Sequence, residues 1–321
     1  MGRFLLCESR PREQGEARMS RGIPTLRESS VNFSSSLLKN PRAIAAAALC
    51  AATATTPAAA ADWSDTSLSY RHGSKFREPF NPENISKNIF GLTHVSGYKY
   101  GVNFFNVDAL MSDKKDPANA NATEGAQEAY IVYRHTLDIG KIMKSEYKFG
   151  PMRGLGATAG FDWNAKTDAG YNSKKRMLVL GPTAMFDVPG FLNLSLLALW
   201  ESNAPCNTFS NTCTPRYRYK THPMLTAAWG IPLGATGLSF EGFMNFIAAK
   251  GKDEFGGQTK AETNFDGQIM YDVGRLMGSK GMFKVGFEYQ YWKNKFGNDA
   301  SGPAGSGAFA KTPMLRAEYH F

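Results

Sequence analysis

The stretch from Lys87 to Asp116 sets a pattern that recurs to the end of the chain. An apolar, partly β-branched run at 88–95 precedes an alternating one at 98–111. In the second, Tyr98, Tyr100, Val102 and Phe104 share one face and Lys99, Gly101 and Asn103 the other. Alternation with a period of two over this length marks a strand lying between two different environments. The two runs fold about Ser96-Gly97, and Met111 leads into the polar segment SDKKDPANANATEG. Strand, tight turn, strand and polar loop form the unit of a transmembrane β-barrel.

The same period predicts further strands at 64–72, 128–138, 155–164, 176–187, 192–201, 217–229, 238–247, 263–273, 282–293 and 312–321. The cleanest sets Leu155, Ala157, Ala159, Phe161 and Trp163 against Gly156, Thr158, Gly160, Asp162 and Asn164. Pro182, unable to donate to a ladder, either weakens the strand at 176–187 or marks a bulge. Segment 217–229 places Arg218, Lys220 and His222 on one face. Long polar connections follow the odd-numbered strands, including GSKFREPFNPENISK after the first. Shorter ones follow the even-numbered strands, except for an extended one after the fourth. The expected fold is therefore all-β: a twelve-stranded antiparallel transmembrane β-barrel with long extracellular loops, mostly short periplasmic turns and both termini in the periplasm.

Phe321 ends the chain, preceded at alternate positions by Tyr319, Ala317 and Leu315, which resembles the C-terminal signature read by the barrel-insertion machinery. That parity turns Arg316, Glu318 and His320 inward. A lipid-facing Lys or Arg at the bilayer midplane costs about 2–4 kcal/mol, so charged strand faces belong in the lumen. Arg71, Lys220, Lys284, Glu288, Arg316 and Glu318 are the expected luminal charges, in a wet, charged pore rather than a packed interior. Their blander reading is a structural charge ladder. Trp63, Trp163, Trp200, Trp229 and Trp292, near strand ends, suit interface anchors.

Composition narrows the choices. No segment of residues 62–321 offers the 18 or more consecutive apolar residues of a membrane helix, which excludes a polytopic helical protein but not a barrel. Thirty-two glycines and 12% aromatic residues suit many strands, tight turns and interfacial rings. The net charge of +9 would suggest nucleic acid. However, residues 1–61 hold eight Lys or Arg and four Asp or Glu, a net +4, leaving +5 on residues 62–321. Those basic residues are scattered, not clustered, which argues against nucleic-acid binding.

Residues 43–60 are small and apolar, follow Lys39 and Arg42, and end in an A-x-A pattern. The expectation is a cleaved export signal over 1–61, with an N-terminal extension long enough that Met19 competes with Met1 as the start, and a barrel over 62–321. Export agrees with Cys206 and Cys213, seven apart in a polar loop, which read as a local disulfide. No histidine pair has metal-ligand spacing, and neither a cofactor motif nor a phosphate-binding glycine loop is found. No Ser/His/Asp set compels an enzyme.

With hairpin and C-terminus in view, the chain resembles the nucleoside-specific channel-forming outer-membrane proteins, the Tsx/OmpK family. The matching residues are Phe76-Arg77-Glu78-Pro79, Leu92-Thr93-His94, Tyr98-Lys99-Tyr100-Gly101, Asn103 through Asp108, and Ser112-Asp113. The resemblance implies a monomeric twelve-stranded barrel in a Gram-negative outer membrane, with a narrow lumen passing nucleosides by diffusion. Such a lumen can stack the base on aromatic rings, at about 1–3 kcal/mol each, and hold the ribose by charge-assisted hydrogen bonds. The candidate contacts are Phe76, Arg77 and Glu78 in a loop at the mouth, Phe105 and Asp108, and Phe243 beside Glu241. At Phe104-Phe105 alternation breaks, so one ring must change face. Alternatives are simple packing for Phe76, the lipid-side girdle for Phe105 and space-filling for Phe243. For the whole chain they are a non-selective or ion-selective pore, a structural envelope barrel, an outer-membrane enzyme or a soluble β-protein.

Overall fold

The computed structural model describes residues 61–116, 123–168, 170–207 and 210–321; the expected export signal lies outside them, apart from Ala61. Twelve long strands run antiparallel in chain order: β1 (Trp63–Glu78), β2 (Asn81–Tyr98), β3 (Gly101–Ser112), β4 (Gln127–Asp138), β5 (Met152–Lys166), β6 (Arg176–Phe186), β7 (Phe191–Asn203), β8 (His222–Pro232), β9 (Leu238–Ile247), β10 (Glu262–Asp272), β11 (Phe283–Lys293) and β12 (Phe309–His320). Each pairs with its neighbours in sequence, and β12 pairs with β1, from Ser67 opposite His320 to Gly73 opposite Met314. The ladder therefore closes, which is the condition for strands to cross hydrocarbon with every backbone group satisfied.

Closure propagates one parity around the wall. Residues directly opposite in an antiparallel pair share a face. Arg71 opposite Arg316, Arg316 opposite Gly286, and Glu288 opposite Gln268 therefore define a single inner surface. The alternate positions make an exposed apolar exterior, including Leu178, Leu180, Leu196, Leu225, Phe246, Ile269, Phe287 and Leu315. The faces expected for the strands at 128–138, 155–164, 238–247, 263–273, 282–293 and 312–321 are those observed. Two of the tryptophans depart from the expected outward placement: Trp63 shares the parity of Arg71 at the end of β1, and Trp292 faces inward and donates through Nε1 to Glu262 at 3.1 Å.

Four expectations need correction. The first hairpin turns at Lys99-Tyr100, with Tyr98 opposite Gly101, rather than at Ser96-Gly97. β2 stays paired with β1 as far as Trp63 opposite Gly97, so bonds on its other edge override the local turn signal. The charged segment after the first strand is not a loop but paired strand; β1 and β2 meet in a tight turn at Pro79-Phe80, where Phe80 has φ 64° and its N–H donates to Ala304. Pro then Phe at positive φ is the pattern of a type II turn. The expected strand at 217–229 begins only at His222; Tyr217–Arg218 is a separate short ladder on β7. Finally, β3 runs from Gly101 to Ser112 without a bulge against either neighbour. Alternation is unbroken, so Phe104 faces inward and Phe105 outward.

Pro182 makes no bulge either, since β6 keeps one register with β7 from Arg176 opposite Ser202 to Phe186 opposite Leu192. Next to it, a Cβ at Gly181 would lie 2.0 Å from the Leu196 carbonyl, so only glycine lets the two strands approach there.

The interior is partly packed. Phe76, Ile85, Ile89 and Met314, with Leu110, form an apolar cluster inside β1–β3 and β12. Val179, Leu197, Leu199 and Met224, with Met177 and Ile247, form another inside β6–β9. The expectation of an open, charged bore is corrected accordingly: charged layers sit between apolar patches.

Leu196, outward on β7 and 55% exposed, tests the assignment of faces. Leu196→Arg is expected to lower the unfolding free energy in lipid vesicles by about 2–4 kcal/mol. An unchanged urea midpoint would mean this face does not contact lipid.

Candidate functional site

Inward-facing charged side chains collect in two layers. The lower layer lies towards the end of the barrel carrying Asp62 and Phe321. Glu288 from β11 sits between two guanidiniums, with Arg71 Nη1 at 3.3 Å and Arg316 Nη1 at 2.7 Å. Arg71 also pairs with Asp108 of β3, and Arg316 with Glu318 at 2.6 Å. Lys284 reaches Glu241 at 3.4 Å, and Glu241 also accepts from Ser239 and Gln268. The expected luminal charges Arg71, Lys284, Glu288, Arg316 and Glu318 are thus brought together, as are two of the expected contact residues, Asp108 and Glu241. Between β4 and β7 the inner wall carries hydroxyls instead, linked Thr136–Thr158–Thr183–Ser195 at 2.8, 2.6 and 2.8 Å.

The upper layer lies towards the loop end and is built largely from lysines. Glu78 Oε1 lies 2.8 Å from Lys87 Nζ and 3.1 Å from Lys295 Nζ. Asp116 accepts from Lys166 at 2.8 Å and faces Lys87 at 3.3 Å. On the opposite wall, Glu201 takes Lys250 at 2.8 Å and Lys175 at 3.4 Å. The Tyr171 and Tyr219 hydroxyls both donate to Glu254.

Phe296 joins the two halves. It lies on the connection from β11 to β12, and its ring has Lys175 Nζ 3.9 Å from its centroid on one side and Lys295 Nζ at 5.0 Å. Trp292 meets it edge-on at 4.8 Å. Lys175 precedes β6 whereas Lys295 follows β11, so the ring spans the mouth. Its backbone has φ 60°, and Asn294 has φ 54°; left-handed values at an asparagine and a bulky aromatic store local strain that surrounding contacts must offset. The same connection is anchored by Gly307, where a Cβ would lie 2.0 Å from the Glu78 carbonyl. The chain therefore tucks against the β1–β2 turn and carries Lys295 and Phe296 over the lumen.

The lysines are not equivalent. Burial alone would lower Lys250, but Glu201 and Glu262 outweigh it and hold the ammonium above its ordinary value. For Lys175, burial wins over the pull of Glu201, and the ammonium is held low. Lys295 is likewise lowered by burial, which Glu78 offsets only in part. Asp116 shows the reverse balance: burial would raise it, yet Lys87 and Lys166 hold it below the usual carboxylate range. The two ammoniums beside Phe296 are thus the least compensated of the layer.

Below Phe296, Tyr130, Arg134, Lys175, Glu201, Lys250 and Trp292 help to line a luminal cavity of about 70 Å³. A water needs only about 10–15 Å³ of such space, whereas a cavity of about 150 Å³ admits benzene. Water and small ions fit the cavity as it stands; a flat organic solute needs the rim to give way.

The remaining expected residues scatter. Phe76 is 4% exposed, inside the apolar cluster, and offers no open face. It was expected on a loop, but pairing opposite Ile85 puts it in the wall. Arg77 turns away and donates to the Pro82 carbonyl, whereas Glu78 joins the lysine layer. Phe105 stands outward, opposite His94 and Tyr133. Lys220 is exposed on the segment before β8, not luminal, because β8 starts two residues later. Phe243 faces the lumen opposite Ala228 and Asp266, as expected. Cys206 and Cys213 form the expected disulfide. Sequence reading missed Lys87, Lys166, Lys250, Lys295 and Phe296. Carrying the inward parity past the expected ends of the strands would have found Lys87 and Lys166; nothing local marks Phe296.

No family model matches the chain, and no curated protein matches it. Among solved structures it is similar to a KdgM porin, at 10% identity and TM-score 0.39, over 79% of this chain and 99% of that one. It is also similar to the translocator domain of autotransporter NalP from Neisseria meningitidis, at 11% identity and TM-score 0.38, over 90% and 100%. For Pseudomonas putida OprB the values are 8% identity and TM-score 0.25, over 82% and 94%. At these values the likeness carries no argument about function, and the fold rests on the chain's own closed ladder.

Glu288 is the hub of the lower layer. Glu288→Ala is expected to destabilise the barrel by about 3–5 kcal/mol, because two buried guanidiniums lose their shared partner. A loss under about 1 kcal/mol in urea unfolding would show that water already screens this layer.

Proposed function

We propose that this chain is a passive outer-membrane channel for small polar solutes, nucleosides among them, exported with residues 1–61 removed. The observation that carries the proposal is Phe296, an aromatic ring held across the mouth between two under-compensated ammoniums. A nucleoside presents a flat face that can replace a lysine over that ring, and hydroxyls that can meet Glu78 or Glu201. Deeper in, Phe243 offers a second ring beside Asp266 and near the Glu241–Lys284 pair. Weak, repeated contacts of this kind let a solute leave as readily as it arrives. Phe76 and Phe105 drop out of the path, since one is buried and the other faces outward.

A small-ion pore is the second reading. The cavity of about 70 Å³ favours it, because that space suffices for water and ions without rearrangement.

Single-channel conductance in a planar bilayer, titrated with adenosine and thymidine, separates the two. The expected result is a small conductance blocked saturably by nucleoside. Phe296→Ala should raise the open conductance and, with Phe243→Ala, weaken block by roughly fivefold to a hundredfold, the range set by losing one stacking contact. Phe105→Ala should leave both unchanged. Conductance indifferent to nucleosides would sink the nucleoside reading and keep the ion pore; no conductance in wild type or Phe296→Ala would sink both.

A further inference from the structure

On the outer wall at the loop end, three adjacent strands present an unusual row. Arg176 at the start of β6 and Arg218 on the short ladder both stand directly opposite Ser202 of β7. Ser202 shares its parity with Trp200 and Ala198, so the row faces away from the lumen. Arg216 reaches the same place and donates to Ser202 Oγ at 3.1 Å. All three arginines are exposed, and among the described residues none forms an ion pair with a carboxylate. Nearby Glu201 has the opposite parity and is occupied by Lys175 and Lys250. Burial and the neighbouring Arg176 charge both push the Arg216 guanidinium down, as befits cations crowded without an anion between them.

One step towards the middle of the barrel, Leu178 stands opposite Trp200, followed by Leu180 opposite Ala198. Leu178, Leu180 and Trp200 are 60%, 54% and 44% exposed. A ring of cations immediately above an aromatic and aliphatic wall is complementary to an amphiphile: an anionic head above apolar chains. Guanidinium forks match the oxygens of phosphate, with two parallel hydrogen bonds each.

We propose that Arg176, Arg216 and Arg218 bind the phosphate headgroup of an anionic membrane lipid whose acyl chains lie along Leu178, Trp200 and Leu180. The apolar wall is what assigns the phosphate to a lipid rather than to a soluble ion. The inference needs the barrel to span a membrane and is independent of what passes through the lumen.

The test uses the full barrel in phosphatidylcholine nanodiscs carrying a minor fraction of diphosphorylated lipid A, with retained lipid read by native mass spectrometry. Heat-modifiable migration on a gel reports folding separately from any channel activity. Wild type should retain lipid A in preference to its dephosphorylated form. Arg176→Gln/Arg216→Gln/Arg218→Gln should retain roughly tenfold less. Replacing all three by lysine should give an intermediate value, because the charge stays while the fork is lost. If the triple glutamine variant does not fold, Arg216→Gln, outside the long strands, carries the test with a smaller loss. Equal retention by the folded variants, equal retention of dephosphorylated lipid A, or displacement by inorganic phosphate at concentrations matching lipid A would overturn the proposal.

Discussion

Closure of the ladder between β1 and β12 is the constraint on which the rest depends. A strand in hydrocarbon cannot leave backbone N–H and C=O groups unpaired, so the sheet must join its own first strand. Once it does, one parity runs around the whole wall. Every second residue is committed to lipid and the others to a shared interior. Charges spread over the sequence, such as Arg71, Asp108, Glu288 and Arg316, are then forced into contact. Each is tolerable only because the register delivers an opposite charge to it.

That interior differs from a water-filled bore. Apolar clusters around Phe76 and Val179 occupy part of the interior, alongside the charged layers and the hydroxyl row between β4 and β7. The connection from β11 to β12 folds back against the β1–β2 turn, bringing Phe296 between Lys175 and Lys295. Its strained backbone at Asn294 and Phe296 is held by the contact of Gly307 with the β1–β2 turn and by the lysines around the ring.

How far the sequence could be read depended on the range of the interaction involved. Faces were legible where strands alternated cleanly, as at 155–164 and 282–293, because lipid on one side imposes that pattern residue by residue. Turns were less so. In VSGYKYG both glycines could have served, and the choice of Lys99-Tyr100 came from the partners of β2 on either edge. The adjacent rings Phe104 and Phe105 looked like a change of face. In the barrel they straddle an intact strand, since the terminal mouth has room for Phe104 and lipid accepts Phe105.

By itself, then, the amino-acid sequence determined the all-β class, the strand number, the inward charges of most strands and the Cys206–Cys213 link, all of which follow from short-range periodicity or proximity. Only the tertiary structure decided that Phe76 is core, that Phe105 and the arginine row at 176, 216 and 218 face outward, and that Phe296 sits between Lys175 and Lys295. Those residues are far apart along the chain, and no local pattern encodes which wall of a closed barrel faces which.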